Sequence, residues 1–371
     1  MIWLAYRLTN SALVLGAVGF ASQIPILVFA SAGGVWTDRV DRRRLLLATQ
    51  TLAMLQALAL AALAWLDWLT PGLLIALALV LGCINAVDVP ARQAIVVRLV
   101  DHPDHLPNAI ALNSFLMNAA RFVGPALAGL VVAAVGEALC FVLNACSYLA
   151  VLFALAAISI VAVDGQPTPA LDALRAGYRY ALAQRQIRRS LALVACISFF
   201  ATPYAVMMPL FAREILAGDA TTYGLLIGSA GAGSLLGSLF LATRDNSARL
   251  IPLIGLAAPT VGASLALFST TAQRWTAFPL LLVLGFSVIV TIAGSNTLIQ
   301  IRVEEAFRGR VMAIFSMAFL GIAPLGSLAV GALAHRVGLR PTLAACGLLS
   351  LVVGLVYRST ARSDPERPRP P

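Results

Sequence analysis

Lysine is absent from this sequence, and charged residues of both signs make up only 11% of its 371 residues. A soluble globular protein carries about 25% charged residues. Hydrophobic residues instead reach 60%, and the mean hydropathy is +0.90. These values exclude an ordinary soluble enzyme and a disordered protein. They indicate a polytopic α-helical membrane protein, because each helix that crosses a bilayer needs about 20 apolar residues.

Residues that usually act in catalysis or bind metals and phosphates are also scarce. The five cysteines lie in apolar stretches without a C-x-x-C pair, so we interpret them as small hydrophobic side chains. A loop at 101–105 holds two of the three histidines, but no cysteine or further ligand lies nearby in the sequence. The chain has neither a Gly-Lys phosphate loop nor a catalytic constellation. We therefore expect no enzyme activity, no metal, no cofactor and no binding of nucleic acid.

Eleven apolar stretches are long enough to cross a membrane. They lie at 13–36, 45–66, 71–88, 109–133, 139–160, 190–212, 222–243, 249–270, 275–297, 309–334 and 341–358. The longest gap separates five spans from six. We therefore expect an N-terminal helical bundle, a cytoplasmic amphipathic linker, a C-terminal bundle and a cytoplasmic tail, with bounds 1–160, 161–189, 190–358 and 359–371.

The linker begins with helix-breaking residues at 164–169. Apolar residues then recur at helical spacing with arginines between them, at Leu171, Leu174, Tyr178 and Leu182. This pattern predicts a short amphipathic helix on the inner leaflet.

Arginine is distributed unevenly over the loops. Alternate loops on one side hold 20 arginines, whereas the opposite loops hold five, Arg7, Arg213, Arg274, Arg336 and Arg340. An excess of positive residues in short loops marks the cytoplasmic side. We therefore expect a multi-pass protein of the bacterial cytoplasmic (inner) membrane with its C-terminus in the cytoplasm.

A tight charged loop follows the first span. A glycine is followed four residues later by an aspartate and then by a run of arginines. An aspartate at a helix end in a membrane is costly unless it is paired, and the loop arginines can pair with it. A plain positively charged inner loop would explain the arginines but not this order. The residues are Gly34, Asp38, Arg39, Arg42 and Arg43.

The span at 109–133 carries a second motif. Its small residues permit close helix approach, and Pro125 bends the helix. Ser114, Asn118, Arg121 and Pro125 share one face of this helix. A charge as deep in a span as Arg121 must be solvated or paired. Arg121 therefore either meets an anionic or polar substrate in a central cavity or pairs with polar neighbours as a structural contact.

Together these motifs resemble the major facilitator superfamily, and in particular its enterobactin-exporter-like branch of drug and siderophore exporters. The charged loop is similar to the superfamily's signature loop, although Asp41 stands where many members have glycine. The resemblance implies a conformational lock between this loop and Asp88, next to Arg92 at the end of a later span. It also implies that Asp38 faces the N-terminus of the helix that begins near 308–310. Such a lock holds one alternating-access state and breaks in the other.

The second motif resembles the Gly-Pro motif that exporters of the superfamily carry in their fifth helix, here Gly124, Pro125 and Gly129. The implied fold is all-α, with about 11 transmembrane helices in two bundles of five and six. The superfamily has six helices in each bundle. Residues 1–9 resemble the tail of a first helix, so the chain is expected to lack most of that helix.

The expected activity is secondary active export of a small amphipathic molecule, drug-like or siderophore-like, by alternating access with proton antiport. The expected partners are the substrate, the proton gradient and the bilayer, and the chain is expected to act as a monomer. An importer or a lysophospholipid flippase of the same fold remains an alternative, as does a truncated remnant without transport. The candidate cavity residues are Ser114, Asn118, Arg121, Tyr204 and Asn296.

Overall fold

The computed structural model describes residues 1–37, 42–96, 106–157, 170–243 and 250–362. Within these ranges every regular element is a helix. Several side chains within the ranges lie outside the description, among them those of 29–37, 106–115 and 170–175.

The first half contains five helices, α1 (Ile2–Thr9), α2 (Ala12–Thr37), α3 (Arg42–Trp65), α4 (Pro71–Val96) and α5 (Leu106–Ala157). α1 ends at Asn10, whose left-handed backbone (φ 47°) turns the chain into α2. α5 breaks at Gly136, where φ is 80° and ψ is 172°. Glycine adopts that conformation without a steric penalty. α5 therefore comprises two spans, 106–135 and 137–157, that follow each other without a loop.

The second half follows the connecting helix α6 (Ala170–Ala183). Its helices are α7 (Arg185–Phe200), α8 (Tyr204–Leu210), α9 (Ala220–Ala242), α10 (Leu250–Thr270), α11 (Arg274–Arg302), α12 (Glu305–Ser316), α13 (Ile322–Val337) and α14 (Leu339–Arg362). Two spans are composite. α7 and α8 continue into a π-helical turn at Phe211–Ile215, and the turn at Met317–Gly321 joins α12 to α13. Pro203, Pro209 and Pro324 lack the N–H that a regular helix needs, which interrupts both spans.

Nine helices in the described part of the chain are long and apolar enough to cross a membrane, and a shorter apolar helix occupies Ala12–Val28. One of the nine, Val123–Ala157, contains the break at Gly136. Dividing that helix at its break gives one helical segment for each predicted span. The prediction of an all-helical membrane fold is confirmed. The boundaries differ by a few residues, since the span predicted at 190–212 occupies Arg185–Ile215.

The helices pack as two bundles. In the first, α2 lies along α4 and α3 along α5. In the second, α10 lies along α14 and α9 along α11, around a core in which Phe211 and Phe268 stack with ring centroids 4.1 Å apart. Two helix pairs cross between the bundles, α2 with α13 and α5 with α9. These two crossings position the candidate site.

α6 lies where the linker pattern predicts a helix, but it docks through a different face. Tyr178 and Leu182 are 56% and 43% exposed. The neighbouring residues Gly177 and Ala181 are buried against α12 instead. Small side chains let the two helices approach closely, which leaves the larger apolar side chains outside the contact.

Candidate functional site

Asp88 on α4 is a buried carboxylate with partners from two helices. Its side chain is only 3% exposed. Thr49 Oγ1 and Gln50 Nε2 on α3 donate hydrogen bonds to Asp88 Oδ1, at 2.8 and 2.6 Å. Arg92, one turn later on α4, forms an ion pair with Oδ2. A buried carboxylate is stable only with such partners, and α3 and α4 supply all three of them here.

Two members of the Asp88 cluster did not follow from the sequence motifs. Thr49 and Gln50 interrupt an apolar run, Leu45 to Ala48 before them and Leu52 to Leu55 after Thr51. Polar side chains inside a membrane span usually bond to a neighbouring helix. That interruption is the signal that would have selected them.

Arg43 ties the start of α3 to the end of α5. Its Nε donates to the carbonyl oxygen of Leu155 at 2.9 Å, and a terminal nitrogen donates to that of Ala156. These carbonyls belong to the last described turn of α5. A cation also complements the negative end of the helix dipole. The structure thus gives Arg43 partners that the lock prediction did not include.

The remaining lock residues stay a prediction. Asp38 and Arg39 lie outside the described residues. Gly34 and Arg42 belong to α2 and α3, but their burial and contacts lie outside the description. The structure therefore positions the Asp88 end of the predicted lock and not its loop.

The candidate cavity residues lie on three helices. Ser114, Asn118 and Arg121 belong to α5, and their side chains lie outside the description. Tyr204 begins α8, directly after the break in its span, and packs half-buried against the core. Asn296 on α11 accepts a hydrogen bond from Gln300, one turn later. A shared cavity for these five residues stays a prediction.

Gly129 on α5 and Gly224 on α9 form the first crossing between the bundles. A Cβ built on Gly129 would lie 2.7 Å from the carbonyl oxygen of Ala220. A Cβ built on Gly224 would lie 2.6 Å from the carbonyl oxygen of Pro125. Only glycine at both positions permits this approach. Gly124, by contrast, has open space around it.

Gly16 on α2 and Gly331 on α13 form the second crossing in the same way. A Cβ on Gly16 would lie 2.6 Å from the carbonyl oxygen of Ser327, and one on Gly331 would lie 2.7 Å from that of Ala12. Gly16 and Gly224 are each the fifth residue of their helix. The two glycine seams, Gly129–Gly224 and Gly16–Gly331, therefore have the same construction, and each has a glycine at the fifth position of one of its two helices.

The seams and the Asp88 cluster lie at opposite ends of the molecule. α4 packs with Gly82 against Ala21 and Ser22 of α2. The two helices run in the same direction, with Asp88 six residues after Gly82 and Gly16 about six residues before Ser22. At about 1.5 Å per residue, this offset separates the two levels by about 18 Å.

A cavity of about 510 Å³ lies beside the Gly129–Gly224 seam. α1, α5 and α9 line it, and its walls include Gly124, Pro125 and Gly129. Trp3 and Tyr223 stack across it with ring centroids 5.8 Å apart. Its charged lining residue, Glu137, pairs with Arg7 at 3.0 Å. The Gly-Pro motif therefore borders both a seam and a cavity.

Comparison with known proteins agrees with this architecture. The structure superposes on the solved nucleoside transporter NupG with a TM-score of 0.72, over 98% of this chain and 94% of that one, at 13% identity. This likeness shows the fold, and the family model and relatives that match the sequence assign the chain to the transporters of the major facilitator superfamily and not to the enzymes. Residues 1–366 match the model of a family described as transmembrane secretion effector. The chain belongs to that family.

Relatives within the superfamily are siderophore and drug transporters. The chain is 24% identical over 362 residues to the Staphyloferrin A transporter of Staphylococcus aureus, which covers 96% of this chain and 89% of the relative. It is also 24% identical over 372 residues to the multidrug efflux pump Tap of Mycolicibacterium fortuitum, covering 95% and 88%. The resemblance to siderophore and drug exporters is thus confirmed.

Proposed function

We propose that this transporter exports a small amphipathic molecule, drug-like or siderophore-like, by alternating access driven by the proton gradient. The observation that carries this proposal is the pair of glycine seams at one end of two helical bundles, with a charged cluster at the other end. Two bundles that touch through matched helix pairs can rock against each other around a central site. The drug efflux pump among the relatives favours export as the direction.

The Arg-rich loops assign the two ends of the molecule to the two sides of the membrane. The Asp88 cluster, α6 and the C-terminus lie on the cytoplasmic side under the positive-inside rule. The glycine seams then form the external gate, and the bundles are closed to the outside. Single-cysteine labelling of intact cells tests this topology. A cysteine at Arg336 should react with an impermeant maleimide, and one at Arg188 should not.

The end of the molecule that carries the Asp88 cluster closes in the opposite half of the transport cycle. In this state the described partners of Asp88 come from its own bundle, Thr49, Gln50 and Arg92. Closing this end requires contacts to the other bundle, which the Asp38 loop makes to the first turns of α12, where the sequence predicted the start of that helix near 308–310 and the structure begins it at Glu305. Exchange of glycine contacts at one end for charged contacts at the other is the alternating step.

Arg121 is the central residue of the proposed substrate site. It lies eight residues before Gly129 on α5, which is about 12 Å from the seam towards the charged end. That depth is close to mid-membrane, where substrates of this fold class bind. Ser114 and Asn118 on the same face, with Tyr204 and Asn296 from the second bundle, complete the site.

Direction-resolved flux tests the function. Everted membrane vesicles from cells with and without the protein are energised and given ethidium or iron-free staphyloferrin A. Uptake of either probe into everted vesicles, abolished by a protonophore, is the expected result. Uptake only into right-side-out vesicles identifies an importer, and translocation of a labelled lysophospholipid without probe uptake identifies a flippase. We also propose that the chain acts as a monomer, and mass photometry of the purified chain tests this.

A further inference from the structure

α6 is fixed to the start of α12 by several contacts. The rings of Tyr180 and Phe307 stack at 4.3 Å with an angle of 8° between their planes, and the Arg310 guanidinium lies 5.5 Å from the Phe307 centroid. The backbone N–H of Glu304 donates to the Tyr180 hydroxyl at 3.2 Å. A Cβ on Gly177 would lie 2.6 Å from that of Arg310. One face of α6 therefore packs against α12.

The end of α6 is also held in place. Arg188 on α7 donates to the carbonyl oxygen of Leu182 at 2.8 Å, in the last turn of α6. This bond satisfies a carbonyl that the helix itself leaves without a donor. The orientation of α6 is thus determined by the protein, and the residues on its other face are presented outwards.

The outward face of α6 combines apolar and basic residues. Tyr178 and Leu182, one turn apart, are 56% and 43% exposed. Arg179, beside Tyr178 on the helix, is exposed as well, and Arg185 is exposed just after the helix ends. Residues 176–189 contain four arginines and neither aspartate nor glutamate. This stretch therefore carries only positive charge next to two apolar side chains.

We infer that this face of α6 binds anionic phospholipid head groups of the bilayer. Tyrosine and leucine side chains partition into the membrane interface, and arginines beside them reach the lipid phosphates. A soluble anion would satisfy the arginines but would leave Tyr178 and Leu182 exposed to water. The combination therefore fits a membrane surface.

Lipid binding at α6 acts on a helix that forms a gate. α12 continues through the π-helical turn into α13, which carries Gly331 of the second seam. The Tyr180–Phe307 stack joins the lipid-binding helix to that span. The inference goes beyond the proposed export function, and its test requires no transported substrate.

Native mass spectrometry of the purified full chain tests the inference, by titration with phosphatidylglycerol and with phosphatidylcholine of the same acyl chains. The variant Arg179→Gln/Arg185→Gln should bind phosphatidylglycerol about tenfold more weakly than the wild type. Its affinity for phosphatidylcholine should not change. The matched control is Arg213→Gln/Arg336→Gln, which removes the same charge from exposed positions at the opposite end. The control should retain the wild-type affinity for phosphatidylglycerol.

Equal affinity in the α6 variant and the wild type overturns the inference. An equal loss in the control also overturns it, because net charge rather than α6 then governs binding. The variant Tyr178→Ser/Leu182→Ser separates lipid from soluble anions. It should weaken phosphatidylglycerol binding, and unchanged binding would identify a purely ionic surface and would contradict the assignment to the bilayer.

Discussion

Gly129 and Gly224 approach so closely that a Cβ built on Gly129 would lie 2.9 Å from the Cα of Gly224. The same relationship joins Gly16 and Gly331, where the corresponding distance is 3.1 Å for a Cβ on Gly16. Side chains on these helices would hold the bundles apart at both crossings. The contact between the bundles at this end therefore depends on four glycines, two from each bundle.

Gly129→Ala should open the seam. A methyl group forced into a close-packed contact costs about 1–3 kcal/mol, so the closed contact between α5 and α9 becomes less populated by about tenfold. The measurement is the rate at which a maleimide labels Ala220→Cys, a buried position at the seam, in a background without other cysteines. The rate should rise by a similar factor, and transport should fall.

Gly124→Ala is the matched control for this experiment. It adds the same methyl group to the same helix, five residues earlier, where nothing lies within 4 Å. It should leave the labelling rate unchanged and slightly favour the helix. Equal acceleration in both variants would show that helix propensity, and not the seam, determines access.

Thr49→Val should destabilise the Asp88 cluster. It removes a hydrogen bond of 2.8 Å to a buried carboxylate, and such bonds to charged groups contribute about 1.5–3 kcal/mol. The unfolding temperature in detergent should fall. Thr51→Val is the control, because the Thr51 hydroxyl donates only to the carbonyl of Leu47 on its own helix. If the two variants unfold at the same temperature, Thr49 does not support Asp88.

The spans followed from the sequence because a bilayer imposes a length and a composition on each helix. The family followed from the resemblance of the charged loop and the Gly-Pro motif to those of the superfamily. Asp88 and Arg92 were named through the resemblance to the superfamily, as part of a lock with the Asp38 loop, and the structure shows in addition that the two pair with each other. Thr49 and Gln50 did not follow, since their role depends on which helix lies beside α4. Which helices lie side by side depends on packing over the whole bundle. It leaves no pattern in the local sequence.

The sequence does not predict the glycine seams or the docking face of α6, for a related reason. The chain has 28 glycines, and their spacing does not show which ones face the other bundle. Gly129 was selected through the Gly-Pro motif, whereas Gly16, Gly224 and Gly331 were not. For α6, the spacing of Tyr178 and Leu182 predicts the helix correctly. It does not show that Gly177 and Ala181 allow the closer contact.

Asp219 makes the stability of α9 depend on pH. Its carboxylate accepts hydrogen bonds from the backbone N–H and the hydroxyl of Thr222, at 2.9 and 3.1 Å. The hydrogen bond from the Thr222 backbone holds the pKa of Asp219 below its usual value. A lowered pKa means that folding favours the anion, so its stabilisation is present above about pH 4 and is lost as the pH falls through the lowered pKa.

Asp219→Ala should therefore lower the unfolding temperature at neutral pH, through the loss of about 1 kcal/mol from the helix cap. The difference from the wild type should shrink in acid below about pH 4, where the wild-type carboxylate becomes protonated. Thermal unfolding of both proteins in detergent across this range checks the prediction. A difference that stays constant with pH would contradict a role of the charged form.

Arg121→Ala should weaken substrate binding more than folding. A cavity-lining arginine contributes contacts to a polar or anionic group of the substrate, whereas a structural arginine would leave buried partners unpaired. Binding of iron-free staphyloferrin A and the unfolding temperature are measured on the same preparation. Normal binding, or failure to fold, would assign Arg121 a structural role.

Asp38→Asn should abolish transport while the protein still inserts and folds. The amide keeps the size of the side chain but removes the charge that the proposed lock needs, so the charged end no longer closes stably. Asp41→Asn is the matched control, because it removes the same charge from the same loop at a position where many superfamily members have glycine. Asp41→Asn should transport like the wild type.

Because Thr49, Gln50 and Arg92 already hold Asp88 in this state, Asp38→Asn should also leave the unfolding temperature unchanged. Loss of transport without loss of stability distinguishes a lock that forms in the other state from a contact that merely supports the fold.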